Sequence, residues 1–371
     1  MPARSLFMAL VAWCFAQPLA ACDPSAPLAT RDEVATPADQ GSPTTPRATA
    51  PDVILVATRP DADSSELYRV SPGSELGAPF ASVAHPRGAA VRAATALDGE
   101  TVFVVADERA VGDLSYAGAL FSVRPDQPAI RLASDVSHAS RPVPTKAGVA
   151  FVTGEAGDTE PRVDRLALES VSADGADRRR VFEVSGLFLS AIGCDGERVV
   201  AYVVPTTGDA RLVSIDLVSN DVRTLAEVPA FARDFVIDDG ALYFVDRHPL
   251  ETSTWQVLRA SLDRASEPEV LFESSSMLLV PSPLGGGELA IHDAGATRVL
   301  GDDGSALTLP RDGVLRVLGA AESGARAGLI TAPGRIGTPV LLEGHAIAML
   351  PSPANTHITV AGFADARAVM P

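Results

Sequence analysis

The chain has 371 residues, of which 46% are hydrophobic, 21% charged and 5% aromatic, with 30 glycines and 29 prolines. That composition supplies a large buried core and excludes both a stapled mini-protein and a disordered chain. A formal charge of −17, from 47 acidic and 30 basic side chains, repels phosphate backbones and excludes general nucleic-acid binding.

Residues 1–21 read as an export signal. Arg4 gives a positive start, and Leu6 to Ala16 is an apolar run too short to span a bilayer. Leu19-Ala20-Ala21-Cys22 follows and resembles the bacterial lipobox: an apolar residue, two small ones and a cysteine. The resemblance implies cleavage before Cys22 and lipid on its thiol, placing the chain in the bacterial envelope, periplasmic or surface-facing. The alternative is an ordinary secretory signal cut near Ala21. Of three cysteines, Cys14 leaves with the signal and Cys22 takes lipid. Cys194 remains, which excludes an internal disulfide and a cysteine metal cluster. Its setting, Gly193-Cys194-Asp195-Gly196, suits core or turn packing.

Residues 22–51 are rich in Pro, Ala, Thr and Ser without apolar periodicity, so they read as a disordered tether. As a coil it reaches roughly 30 Å.

From residue 52 to 371 the pattern changes to short apolar or alternating runs closed by Gly, Asp, Pro or Ser. Tight turns at 98, 147, 195, 239 and 286 each launch such a run: TVFVVAD, VAFVTG, RVVAYVV, ALYFVD and LAIHD. Asp-Gly favours a type I′ hairpin because both central residues need positive φ. The turns recur about every 46 residues, so seven units fill the body. Second strands follow at 66, 119, 165, 211, 256, 296 and 338, and third strands at 129, 179, 221, 268, 305 and 346. Six inner strands precede the turns: 88–96, 141–147, 187–193, 231–237, 278–284 and 314–320. The missing inner partner of VILVAT is HITVAGF, residues 357–363.

Such a period predicts an all-β fold: a β-propeller of seven four-stranded blades closed by the C-terminal strand. A single blade has two apolar faces, and only radial stacking buries both. The Asp-Gly-Glu turns and the second strand at 211–217 resemble TolB-like and WD40-like periplasmic propellers. The Trp-Asp signature of WD40 blades is absent.

Chemical spacings are missing. The sequence contains no Gly-x-Ser-x-Gly elbow, phosphate loop or His-Glu-x-x-His helix. Its six histidines are scattered, so we expect no metal and no cofactor. Asp61 to Glu66 and Asp302 to Ser305 read as solvated turns and not as calcium loops. The segments entering the inner strands carry His85-Pro86-Arg87, His138-Ala139-Ser140-Arg141 and Arg233-Asp234. In a propeller these converge around the central channel, where partners bind. His85, Arg87, His138, Arg141, Arg233 and Asp234 are therefore the candidate binding residues, with ordinary loop charges as the alternative. The expected function is a monomeric, lipid-anchored scaffold for an envelope protein or peptide. The alternative is a propeller-type lyase or hydrolase acting on a sugar or lactone at the channel mouth.

Overall fold

The computed structural model divides into two units, Met1–Ala50 and Pro51–Pro371. It describes residues 51–109, 115–146, 148–158, 162–195, 197–251, 253–300, 306–321, 323–333 and 335–364. The export signal, Cys22, nearly all of the tether and the turn at 302–305 lie outside these residues. The second unit is built from antiparallel strands.

Strands β1 (Val53–Thr58), β2 (Ser64–Val70) and β3 (Ala81–Ala84) pair in chain order. An eleven-stranded sheet follows. It opens with β4 (Val91–Ala96), β5 (Val102–Asp107), β6 (Gly118–Val123) and β7 (Ile130–Val136), then β8 (Val143–Thr145), β9 (Gly148–Glu155) and β10 (Asp164–Ser172). It ends with β11 (Arg179–Asp195), β12 (Arg198–Pro205), β13 (Arg211–Asp216) and β14 (Val222–Glu227). A four-stranded sheet holds β15 (Arg233–Asp238), β16 (Ala241–Arg247), β17 (Trp255–Ser261) and β18 (Glu269–Ser274). A three-stranded sheet holds β19 (Val280–Gly285), β20 (Glu288–Asp293) and β21 (Ala296–Leu300). The next sheet holds β22 (Val314–Ala320), β23 (Arg326–Thr331), β24 (Thr338–Glu343) and β25 (Ala346–Met349). Finally β26 (His357–Phe363) returns to pair with β1, from Val53 opposite Phe363 to Thr58 opposite His357.

The strands after the turns are buried on both faces, and their alternate residues enter different cores. In β12, Val199, Ala201 and Val203 pack towards β9 and β10, while Val200, Tyr202 and Val204 pack towards β15 and β16. In β5, Val102, Val104 and Ala106 join Ile54 and Val56 of β1, whereas Phe103 and Val105 join Val149 and Phe151 of β9. In β16, Leu242 and Phe244 face back, and Tyr243 and Val245 face Leu289 and Ile291 of β20. The period-2 geometry of a strand thus glues each group of strands to the one before and the one after. Each fully buried Val, Leu, Ile or Phe contributes about 1.5–3 kcal/mol.

The inner strands tolerate proline because one edge of each lacks a ladder partner. Pro142 and Pro144 flank Val143 in β8, whose only strand partner is β9, and Pro281 and Pro283 alternate in β19, which pairs only with β20. At Asp239-Gly240, between paired Asp238 and Ala241, φ is 47° and 70°, as a type I′ turn requires. The turn at 98 closes differently, with Asp98 Oδ1 accepting from the backbone N–H groups of Glu100 and Thr101 at 3.0 and 2.7 Å.

Three features depart from the sequence expectation, the first being that the strand expected at 305 is only a bridge from Ala306 to Arg298 among the described residues, so the sheet of β19–β21 has three strands. The runs at 179 and 187–193 form one strand, β11, which passes from partner β10 to partner β12 at a register shift between Gly186 and Phe188. The outer strand β3 falls on Ala-Ser-Val-Ala, too short and too mixed to show as an apolar run.

Candidate functional site: an arginine-lined cavity among the inner strands

A cavity of about 350 Å³ lies where the inner strands converge, lined by residues of β4, β15, β19, β22 and β26, by Leu329 of β23 and by Arg141 just ahead of β8. Its apolar walls include Phe235, Val280 and Val317, and its polar groups are Arg92, Arg141, Arg316, Asp234 and Thr359. Three guanidinium groups therefore share it with one carboxylate.

Two of those arginines are already engaged. Arg92 donates to Asp107 Oδ2 through Nε at 2.8 Å and Nη2 at 2.7 Å. On the other oxygen of Asp107, His138 Nε2 lies at 2.7 Å. Burial alone would raise the Asp107 pKa, but the hydrogen bonds from His138 and Arg92 outweigh it and hold the carboxyl below its ordinary value. Arg316 Nη1 donates to Asp234 Oδ1 at 2.5 Å, and Arg233 pairs with Oδ2 of the same carboxylate. Asp234 sits at φ 53°, a left-handed conformation that an aspartate tolerates better than most residues.

Arg141 differs. Its hydrogen bonds run from Nη2 to two main-chain carbonyls, Ala94 at 3.5 Å and Val360 at 3.4 Å. Among the described residues no carboxylate pairs with it. Arg141 keeps a solvent-exposed surface, but the protein atoms packed around its guanidinium and the charge of Arg316 push its pKa down to about 10. It stays charged at neutral pH.

The remaining sequence candidates have structural partners. His85 is buried, with Nε2 2.9 Å from Ser65 Oγ, which lies 2.7 Å from Thr58 Oγ1. His85 and His138 thus each clip the segment leading to an inner strand onto an earlier strand. Arg87 is exposed and donates to the Asp61 carbonyl at 3.1 Å. Arg233 donates to the carbonyls of Leu279 and Met277 and stacks 4.9 Å over Trp255. Of the six candidates, the structure brings Arg141 and Asp234 into the cavity wall. Arg92 and Arg316 were missed. Their signal is a lone arginine inside an otherwise apolar inner strand, in VRAATA and VLRVLGA.

Asp246, at the end of β16, is 3% exposed. Burial raises its pKa to about 7, only partly opposed by the Arg247 backbone N–H and by Arg233. Near the opposite ends of the inner strands, Arg326 reaches Asp238 at 2.8 Å and ties β23 to β15 past Gly285. Cys194 is fully buried in the core cluster of β9 to β13. Among the described residues no group of three His, Cys, Asp or Glu is placed to hold a metal ion.

No family model and no curated protein matches this chain. Solved structures do. A prolyl endopeptidase aligns at TM-score 0.54 with 14% identity, over 84% of this chain and 50% of its own. Prolyl oligopeptidase B from Galerina marginata aligns at 0.52 with 13% identity, over 85% and 52%. An oligogalacturonate lyase solved with manganese aligns at 0.51 with 13% identity, over 81% and 91%. The fold is therefore that of the TolB-like β-propellers. The chain spans about half the length of the two peptidases.

Proposed function

We propose that this chain is a lipid-anchored bacterial envelope protein whose propeller binds a protein or peptide at the mouth of its axial cavity, as a scaffold and not as an enzyme. The observation that carries this reading is the cavity itself. It gathers residues from most of the inner strands and presents a charged arginine without a carboxylate partner among the described residues. Exposed apolar side chains surround the same end. Leu250 lies in the β16–β17 loop, and Met277 and Leu278 lie just before β19, whose first residue lines the cavity. Such residues suit a macromolecular partner.

We take the propeller to have seven blades. The grouping we adopt divides the eleven-stranded sheet between β7 and β9, which share the single pair Val136 and Thr153, and within β11: β26 with β1–β3, β4–β7, β8–β10 with the first half of β11, the second half of β11 with β12–β14, β15–β18, β19–β21, and β22–β25. A bridge from Arg298 to Ala306 marks where the sixth group gains its outer edge. The C-terminal strand closes the ring.

The anchor rests on the lipobox-like Leu19 to Cys22, and about two acyl chains are needed for stable attachment. Cys22→Ala should move the protein from the membrane to the soluble fraction. In-cell crosslinking of the tagged wild type should yield one dominant envelope protein, lost with Arg141→Glu. The absence of a reproducible partner would contradict the scaffold reading.

A further inference from the structure

We infer that the axial cavity is a seat for an acidic side chain of a bound peptide, with Arg141 meeting its carboxylate and Arg92 and Arg316 flanking it. The inference deepens the scaffold reading and rests on it.

Arg92 is neutralised by Asp107, and Arg316 shares Asp234 with Arg233. Arg141 is the cavity cation that no described carboxylate balances, and its two carbonyl contacts, both from Nη2, are long at 3.4 and 3.5 Å. A guanidinium fork in a partly desolvated site is best met by a planar carboxylate, which accepts two parallel N–H bonds. Four arginines stand against two aspartates here, and Arg141 is the one with no carboxylate partner among the described residues. The full chain carries a formal charge of −17, so attraction of an acid at this point is local. The exposed Leu250, Met277 and Leu278 at the same end favour a peptide with apolar neighbours over a small free acid.

The test uses the full chain in detergent and two pentapeptides, acetyl-Ser-Leu-Glu-Leu-Ser-amide and its Gln counterpart, with binding followed by calorimetry. A third peptide, the Gln version with a free C-terminus, separates side-chain from chain-end carboxylate. We expect the Glu peptide to bind at least about tenfold more tightly than either Gln peptide. Arg141→Gln should abolish that preference and Arg141→Lys should keep part of it. Because Arg141 also spans the Ala94 and Val360 carbonyls, the melting temperature of each variant is measured. If Arg141→Gln fails to fold, Arg316→Gln, which leaves Asp234 less neutralised, should weaken the Glu peptide selectively. Equal binding of all three peptides, no binding of any, or a Glu preference that survives Arg141→Gln would overturn the inference. So would preference for the free chain end. In each case the in-cell partner lost with Arg141→Glu would remain the separate test of the scaffold reading.

Discussion

Asp107 and Asp246 end corresponding strands, β5 and β16, and the protein treats their charges in opposite ways. Asp107 is buried, but Arg92 and His138 hold it ionised and its pKa is lowered. Its contribution to stability is present above the unfolded carboxylate pKa and is lost as pH falls through the folded value. Asp246 is buried without such a clamp, and its pKa rises to about 7. That group favours the folded state fully below its unfolded value near 4, and the advantage disappears as pH rises through about 7. Asp246→Asn keeps the acceptor for the Arg247 N–H and removes the ionisation. It should raise the melting temperature at pH 8 and change it little at pH 4, with a gain at pH 8 of at most about 4 kcal/mol. Equal effects at both pH values in a calorimetric scan would contradict the burial argument. At this scale the sequence was half legible. Arg141 and Asp234 stood out because they sit at the starts of inner strands. Arg92 and Arg316 did not, because a charged residue in an alternating strand reads as solvent-facing, and here the solvent is the cavity.

Among the elements, β26 carries the most weight. It covers the inner edge of β1 and buries Ile358, Val360, Ala361 and Phe363. Where β22 meets it, a Cβ on Gly319 would come 3.2 Å from Gly362 Cα, so Gly319 permits a close backbone approach, and Gly362 takes φ 132°, which side chains other than glycine rarely adopt. Removing residues 355–371 deletes these side chains and uncovers the inner edge of β1; each buried Ile, Val or Phe lost is worth about 1.5–3 kcal/mol, against a total stability of roughly 5–15 kcal/mol. The truncated chain should lose its cooperative thermal transition; an unchanged melting temperature would show that β26 is dispensable. The pairing of VILVAT with HITVAGF was readable because the repeat left the first unit one inner strand short. The continuity of β11 was not readable, since Ser185-Gly186-Leu187 reads as a break yet is spanned by a register shift. The short β3 gave too few apolar positions to register as a strand.

As a whole, a chain of formal charge −17 presents a cavity whose charged lining is three arginines against one aspartate. The fold itself is shared with peptidases and a lyase, so it does not assign a function; the residues at the mouth carry the reading. The most direct measurement is site-specific photocrosslinking in cells. One probe replaces Leu278, 62% exposed beside the cavity, and the other replaces Val218, 66% exposed in the β13–β14 loop at the opposite ends of the strands. A binding module that works through its channel mouth predicts one partner captured from position 278 and none from 218. Capture from 218 alone, or equal capture from both, would contradict it.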